Sequence, residues 1–184
     1  MSTLEIVARP VFAKAELEWL TRLRATHARA PGPPEFTLVF PGPADRLDDV
    51  VTHLTAVGAA TPRIPFILRS AVIVPEAVIG REPGAGIYHV FLVPEEGFGA
   101  IIRLHDRLHV GPLAAFVRPD QPYIPHLTVV TVKEFELARH TKAQLNSRDL
   151  AVSGRIDEIE LRQRDGVEAR RVAKVALARH GLFH

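Results

Sequence analysis

The chain has 184 residues, 47% of them hydrophobic, enough for a full core in one domain or one compact pair of lobes. Its 23 basic and 21 acidic residues leave a net charge of +2, which excludes a polybasic nucleic-acid footprint and large disordered segments. It has no cysteine, so disulfides, thiolate metal sites and a cysteine nucleophile are excluded. No signal-peptide pattern and no apolar run of membrane-spanning length is present, so a cytoplasmic protein with no membrane partner is expected.

Leu4-Glu5-Ile6-Val7-Ala8 reads as a first strand, closed near Pro10. From Ala13 to Ala28, Leu17, Leu20, Leu23 and Arg24 recur at helical spacing without a glycine or proline. Ala30 to Pro34 is a loop by composition. Glu35 to Phe40 follows as a strand, with Glu35, Thr37 and Val39 on one face and Phe36, Leu38 and Phe40 on the other. Pro41-Gly42-Pro43 is expected to break the chain before a second helix, Asp45 to Val57, striped by Leu47, Val50, Val51, Leu54 and Val57. His53 and Thr55 spell H-x-T on this helix, but residues two apart do not share a helical face. His53 lies off the apolar stripe and reads as solvated.

Pro65 to Val74 is a strand, Pro83-Gly84-Ala85-Gly86 a turn, and Ile87 to Val93 another strand with His89, Phe91 and Val93 on one face. Gly97 to His109 is helical, with Phe98, Ile101, Ile102, His105 and Leu108 on one side. His105 and His109 have a metal-capable spacing. The residues between them, Asp106-Arg107-Leu108, lack the H-E-x-x-H pattern, so a packed or surface pair is expected and no metal. A proline-rich connection, Gly111 to Pro125, leads into Pro125-His126-Leu127-Thr128-Val129-Val130. Alternation there puts His126, Thr128 and Val130 on one face, and Leu127 and Val129 toward a core. A helix from Lys133 to about Leu145 precedes two strands, near Leu150–Arg162 and Ala169–Arg179, flanking the hairpin signal Asp165-Gly166. Arg155, Arg162, Arg164, Arg170, Arg171 and Arg179 crowd this last third and read as solvated charge.

The Glu35 and His126 strands share a layout. A proline leads, a β-run follows, and a threonine sits two residues after a polar one. Two such strands, each followed by a helical pattern, read as an internal duplication. The order of elements gives an α+β fold of two sheet lobes with helices outside. An imidazole and a hydroxyl side by side on one strand suit the handling of a phosphate. This pattern resembles the 2H phosphoesterase superfamily (2'-5' RNA ligase / RNA 2',3'-cyclic phosphodiesterase-like), which carries two H-x-T/S-x motifs, one per lobe, facing each other across a groove. The second motif matches in Tyr123-Ile124-Pro125-His126-Leu127-Thr128-Val129. The first, usually H-x-T-L and then a hydrophobic, phenylalanine, proline stretch, reads Glu35-Phe36-Thr37-Leu38-Val39-Phe40-Pro41, with glutamate in place of histidine.

The resemblance covers nearly the whole chain. It implies a single two-lobed domain over residues 1–184 with a central groove, acting on a nucleotide or RNA end. The reaction it implies opens a 2',3'-cyclic phosphate or a 2'-5' linkage without metal or cofactor. One group activates water, one protonates the leaving ribose oxygen, and donors hold the phosphoryl oxygens. The matched positions assign the proton transfers to His126 and Glu35, and substrate binding to Thr37, Thr128 and Tyr123. The glutamate is not a neutral swap. A carboxylate serves as base when burial raises its pKa, yet as an anion it repels a phosphodiester. A nearby arginine would offset the charge and weaken the base. Losing one acid or base typically costs about a hundredfold to ten-thousandfold. Two readings stand: an active phosphodiesterase with an altered Glu/His pair, and a weak or inactive relative whose groove binds a nucleotide, RNA end or other ligand. Oligomeric state is left open.

Overall fold

The structure is a computed structural model that describes residues 2–27, 32–43, 45–79, 86–119, 121–166 and 168–179. Two antiparallel sheets form its frame. Sheet A has the order β3-β1-β8-β9, built from Phe36–Pro43, Ser2–Ala8, Glu158–Asp165 and Glu168–Ala176. Sheet B has the order β2-β7-β4-β5-β6, built from Val11–Phe12, Val152–Ile156, Ile64–Pro75, Tyr88–Glu96 and Leu127–Val132. Four helices, α1 (Lys14–His27), α2 (Leu47–Ala59), α3 (Phe98–Leu108) and α4 (Phe135–Asn146), pack around the sheets. This is the α+β, two-lobed architecture expected from the element order.

Alternation separates the two faces of β1, both of which are buried. In β1, Leu4, Ile6 and Ala8 are buried and meet Ile159 and Leu161 of β8 and the α2 stripe Val50, Leu54 and Val57 in the core. Phe36 of sheet A and Phe66 of sheet B, both fully buried, meet edge to face at 5.1 Å and 87°, so one core runs through both sheets. Such pairs add roughly 0.5–1.5 kcal/mol beyond their burial. The two motif strands, β3 and β6, are both sheet edges. α3 packs on β3 and α1 on β6.

Several local expectations are corrected. Pro41-Gly42-Pro43 does not break the chain: β3 continues through Pro43, with Gly42 opposite Leu4 and Pro43 opposite Thr3. Proline is tolerated there because an edge strand has one row of backbone groups outside any ladder, and register shifts absorb the irregularity. The 150–162 stretch is not one strand. It divides at Asp157 into β7 in sheet B and β8 in sheet A, so the chain changes sheets within two residues of Ile156. A bulge between β5 and β6 pairs Phe91 with Thr128 but Val90 with Val130. The extra residue turns Val130 to the core beside Val90 and sets Thr131 opposite His89, so Val130 does not share the Thr128 face. The short strand β2 and the 3₁₀ turns Glu76–Ile79 and Gly111–Phe116 add to the expected elements. The turn expected at Pro83-Gly84-Ala85-Gly86 lies, except for Gly86, outside the described residues.

Candidate active site

Residues Glu35 and His126 each stand immediately before their strand, β3 and β6. Their surroundings differ. Val7 of β1 lies opposite Thr37 on one side and Glu160 on the other, and Glu5 lies opposite Arg162. Cross-strand partners point to the same side of a sheet, so this face of sheet A carries Thr37, Glu5, Glu160 and Arg162 together. Arg162 reaches from it to Glu35, donating Nη1–H to Oε1 at 3.0 Å and Nη2–H to Oε2 at 2.7 Å. The same guanidinium lies 3.4 Å from Glu160 and 3.9 Å from Glu5. Arg9 flanks Glu35 and Glu160 at 3.7 Å, and Arg164 and Arg171 close the outer side on Glu5 and Glu160. Arg162 is buried, contrary to the solvated reading of the C-terminal arginines, because its β8 register places it inside this carboxylate ring. A bidentate guanidinium–carboxylate pair is among the stronger charge-assisted contacts.

Thr128 is tied to the Glu35 neighbourhood through α1. Arg24 donates its Nε–H to the Thr128 carbonyl at 3.1 Å, also donates to the Gly32 carbonyl, and feels the charge of Glu35. Thr37 is half-buried on β3.

His126 faces a different space. Its ring stacks on Phe91 at 3.7 Å and 18°, and Phe91 in turn stacks toward His89 at 5.8 Å and 22°. Nδ1 lies 2.7 Å from the Ile124 carbonyl. A carbonyl only accepts, so Nδ1 carries the hydrogen and the neutral ring presents its lone pair at Nε2. Burial pushes the His126 pKa down to about 4, against the upward pull of the Ile124 carbonyl and with a smaller downward push from His89. The ring is therefore a neutral proton acceptor at pH 7.

Beside His126 lies a cavity of about 150 Å³. Phe40 of sheet A and Val74 and Phe91 of sheet B line it, so both sheets contribute. A second stack also contributes to its lining. The His105 ring lies on Tyr123 at 3.9 Å and 8°, and His109 lies 4.1 Å from His105. His105 Nδ1–H donates to Asp106 Oδ1 at 3.0 Å, and His109 Nδ1–H to the His105 carbonyl at 2.8 Å. The Tyr123 hydroxyl is buried with no hydrogen-bond partner among the described residues, and burial holds its phenol well above the ordinary value. Arg118 caps the rim with its guanidinium 4.6 Å from the Phe40 ring centre.

Two glycines set these walls. A Cβ on Gly42 would strike the Phe116 ring, which lines the cavity, so the 3₁₀ turn can lie against β3 only over glycine. Gly97 starts α3 at φ 81° against Pro65 and Phe66, and so aims the helix that carries His105.

The structure thus brings Tyr123 and His126 to one cavity, while Glu35, Thr37 and Thr128 are not among its lining residues. A family model for the 2'-5' RNA ligase superfamily matches residues 11–168. The chain belongs to that superfamily. Its fold is similar to that of solved structures across nearly their whole length. E. coli LigT in apo form gives a TM-score of 0.61 at 13% identity, covering 96% of this chain and 98% of that one. TT0787 of Thermus thermophilus gives 0.61 at 16% identity, covering 95% and 97%. E. coli LigT complexed with 3'-AMP gives 0.57 at 15% identity, covering 96% and 98%. Comparison with curated proteins finds no match.

In this member of the 2'-5' RNA ligase superfamily one histidine reading changes and another gains a location. His53 is not solvated. It is half-buried and donates Nε2–H to the Leu108 carbonyl at 3.2 Å, tying α2 to the end of α3. His105 and His109 form a packed pair as expected, but one that lines the His126 cavity, which their helical spacing alone did not reveal. Among the described residues no three His, Asp or Glu side chains gather as a metal-binding group. No helix of the described residues is long and apolar enough to cross a membrane.

Proposed function

We propose that the protein is a metal-independent phosphodiesterase acting on a 2',3'-cyclic phosphate or a 2'-5'-linked nucleotide or RNA end. The observation that carries this reading is His126, a neutral imidazole whose Nε2 lone pair meets no hydrogen-bond partner among the described residues, on the wall of a cavity built by both sheets of a 2'-5' RNA ligase superfamily member. The likeness to E. coli LigT supports a nucleotide ligand, since LigT structures are complexed with 3'-AMP, ATP and NADP+. In this reading His126 accepts a proton from water as the oxygen attacks phosphorus. The motif positions give the donors to Thr37, Thr128 and Tyr123, of which Tyr123 lines the cavity and the two threonines do not, and a second group protonates the leaving ribose oxygen. Glu35 holds the sequence position of that second group, and to act it must release Arg162.

The grip of Arg162 on both Glu35 oxygens favours a second reading, a groove that binds a nucleotide or RNA end with little turnover. Glu35→His separates the two. With Glu35 as the working group, turnover of a nucleoside 2',3'-cyclic phosphate falls; in a binding groove it rises, by as much as about a hundredfold. The phosphodiesterase reading also requires full turnover in excess chelator. Inhibition by chelator and rescue by zinc or manganese would overturn it.

A further inference from the structure

We propose that His105 is the second imidazole facing the scissile phosphate, so that proton transfer in this chain runs between His126 and His105 rather than His126 and Glu35. This rests on the phosphodiesterase reading and names the group that reading lacks. Both imidazoles line one cavity of about 150 Å³, and Glu35 does not line it. His105 is built for proton exchange at one atom. The Asp106 carboxylate takes its Nδ1–H, which leaves Nε2 as the exchanging nitrogen and stabilises the imidazolium when it forms. Stacking on Tyr123 at 3.9 Å and 8° fixes the plane of the ring. The Tyr123 hydroxyl is buried with no hydrogen-bond partner among the described residues, and burial keeps it protonated. The charged and titratable groups around His105 are Asp106 from its own helix, His109 just after that helix, Tyr123 stacked on its ring, and His126 and Arg118 in the same cavity lining. Burial outweighs the upward pull of Asp106 and, with His109, holds the His105 pKa below its ordinary value, so its proton-donating form is favoured by acid and falls away as pH rises.

The step balances on these two residues. Water gives a proton to His126 Nε2 and its oxygen bonds to phosphorus. The phosphorus–oxygen bond to one ribose oxygen breaks, and that oxygen takes the proton from His105 Nε2. His126 is left protonated and His105 neutral, the product is a nucleoside monophosphate, and solvent exchange restores both rings. Glu35 then keeps a different role, which is to neutralise Arg162 beside Glu5 and Glu160.

Turnover of a nucleoside 2',3'-cyclic phosphate is measured from pH 5 to 9 for the wild type and for His105→Gln, Asp106→Asn, Glu35→Gln and, as an exposed control, His140→Gln. His105→Gln is expected to lower kcat by about a hundredfold or more with KM little changed, and to remove the alkaline limb of the rate profile. Asp106→Asn shifts that limb, Glu35→Gln loses at least tenfold less than His105→Gln, and His140→Gln matches the wild type. A larger loss at Glu35 than at His105, or an unaltered profile in His105→Gln, overturns the proposal. A second arm reads the same geometry without turnover. Histidine ring resonances are followed as inorganic phosphate is added to the full chain. His105 and His126 are expected to shift along one saturation curve, each with a raised pKa. If the wild type fails to hydrolyse the ester but both rings respond, the enzyme reading fails and the shared phosphate site stands. If phosphate moves His126 without His105, or neither, the proposal fails.

Discussion

Two strand starts share one sequence frame and differ in almost every physical respect. At the first, Glu35 is held by Arg162 inside a ring that includes Glu5, Glu160, Arg9, Arg164 and Arg171. At the second, His126 is stacked on Phe91, kept neutral by burial, and opens on a cavity walled by Phe40, Phe116, Tyr123 and His105. The first site uses its side-chain valences on the protein itself. The second leaves an Nε2 lone pair and a phenol hydroxyl without hydrogen-bond partners among the described residues. The contrast teaches that a retained motif frame preserves the strand and its position, whereas the chemistry at its head depends on which side chains other strands deliver there.

The largest expected effect comes from emptying the charged ring. Arg162→Met leaves Glu5 and Glu160 buried without their shared cation, and such breakage typically costs about 3–5 kcal/mol. Urea denaturation of the variant at pH 7 checks it. A loss near zero would mean that Arg9, Arg164 and Arg171 suffice to balance the carboxylates.

The aromatic site is broken by acid instead. The folded pKa of His126 is about 4 against an ordinary 6.5, so between these values the unfolded chain binds the extra proton. The stabilisation from a neutral His126 is therefore complete above pH 6.5 and is lost as pH falls toward 4. Its slope approaches about 1.4 kcal/mol per pH unit from this one ring. Denaturation midpoints from pH 4 to 7 for the wild type and His126→Asn should show this component in the first and not in the second. Identical curves would contradict the neutral buried ring.

Glu35→Gln sharpens the contrast with less disruption. It keeps the shape and one acceptor but loses the charged pair, for an expected loss of about 1.5–3 kcal/mol in thermal denaturation. The smallest expected effect is at Gly42→Ala, where the new methyl pushes Phe116 off β3 at a cost of about 1–3 kcal/mol and reshapes the cavity wall. A crystal structure of that variant with Phe116 unmoved would show that the turn does not depend on the glycine.

Much of the fold was legible because local periodicity encodes it. The alternation in 35–40 and 87–93 and the stripe in 47–57 each appeared as strand or helix. What periodicity could not carry were pairings made at long range. The division of 150–162 between two sheets depends on which neighbours β7 and β8 find, and β3 runs through Pro41 and Pro43 only because it is an edge. The candidate site follows the same rule. His126 was visible from its motif. The engagement of Glu35 by Arg162 joins residues 127 apart in the chain, and no composition or spacing signals it. His105 was visible only as a helix residue. Its place on the His126 cavity arises from the packing of α3 against β3 and from the path of the 111–125 connection.

The central claim, metal-independent phosphodiester hydrolysis at His126, is tested most directly by one comparison. Turnover of a single nucleoside 2',3'-cyclic phosphate is measured in excess chelator for the wild type and for His126→Ala, with both shown folded by circular dichroism. The expected result is measurable wild-type turnover that falls by at least about a hundredfold in His126→Ala. Full activity in His126→Ala would contradict the claim and place the chemistry at other residues.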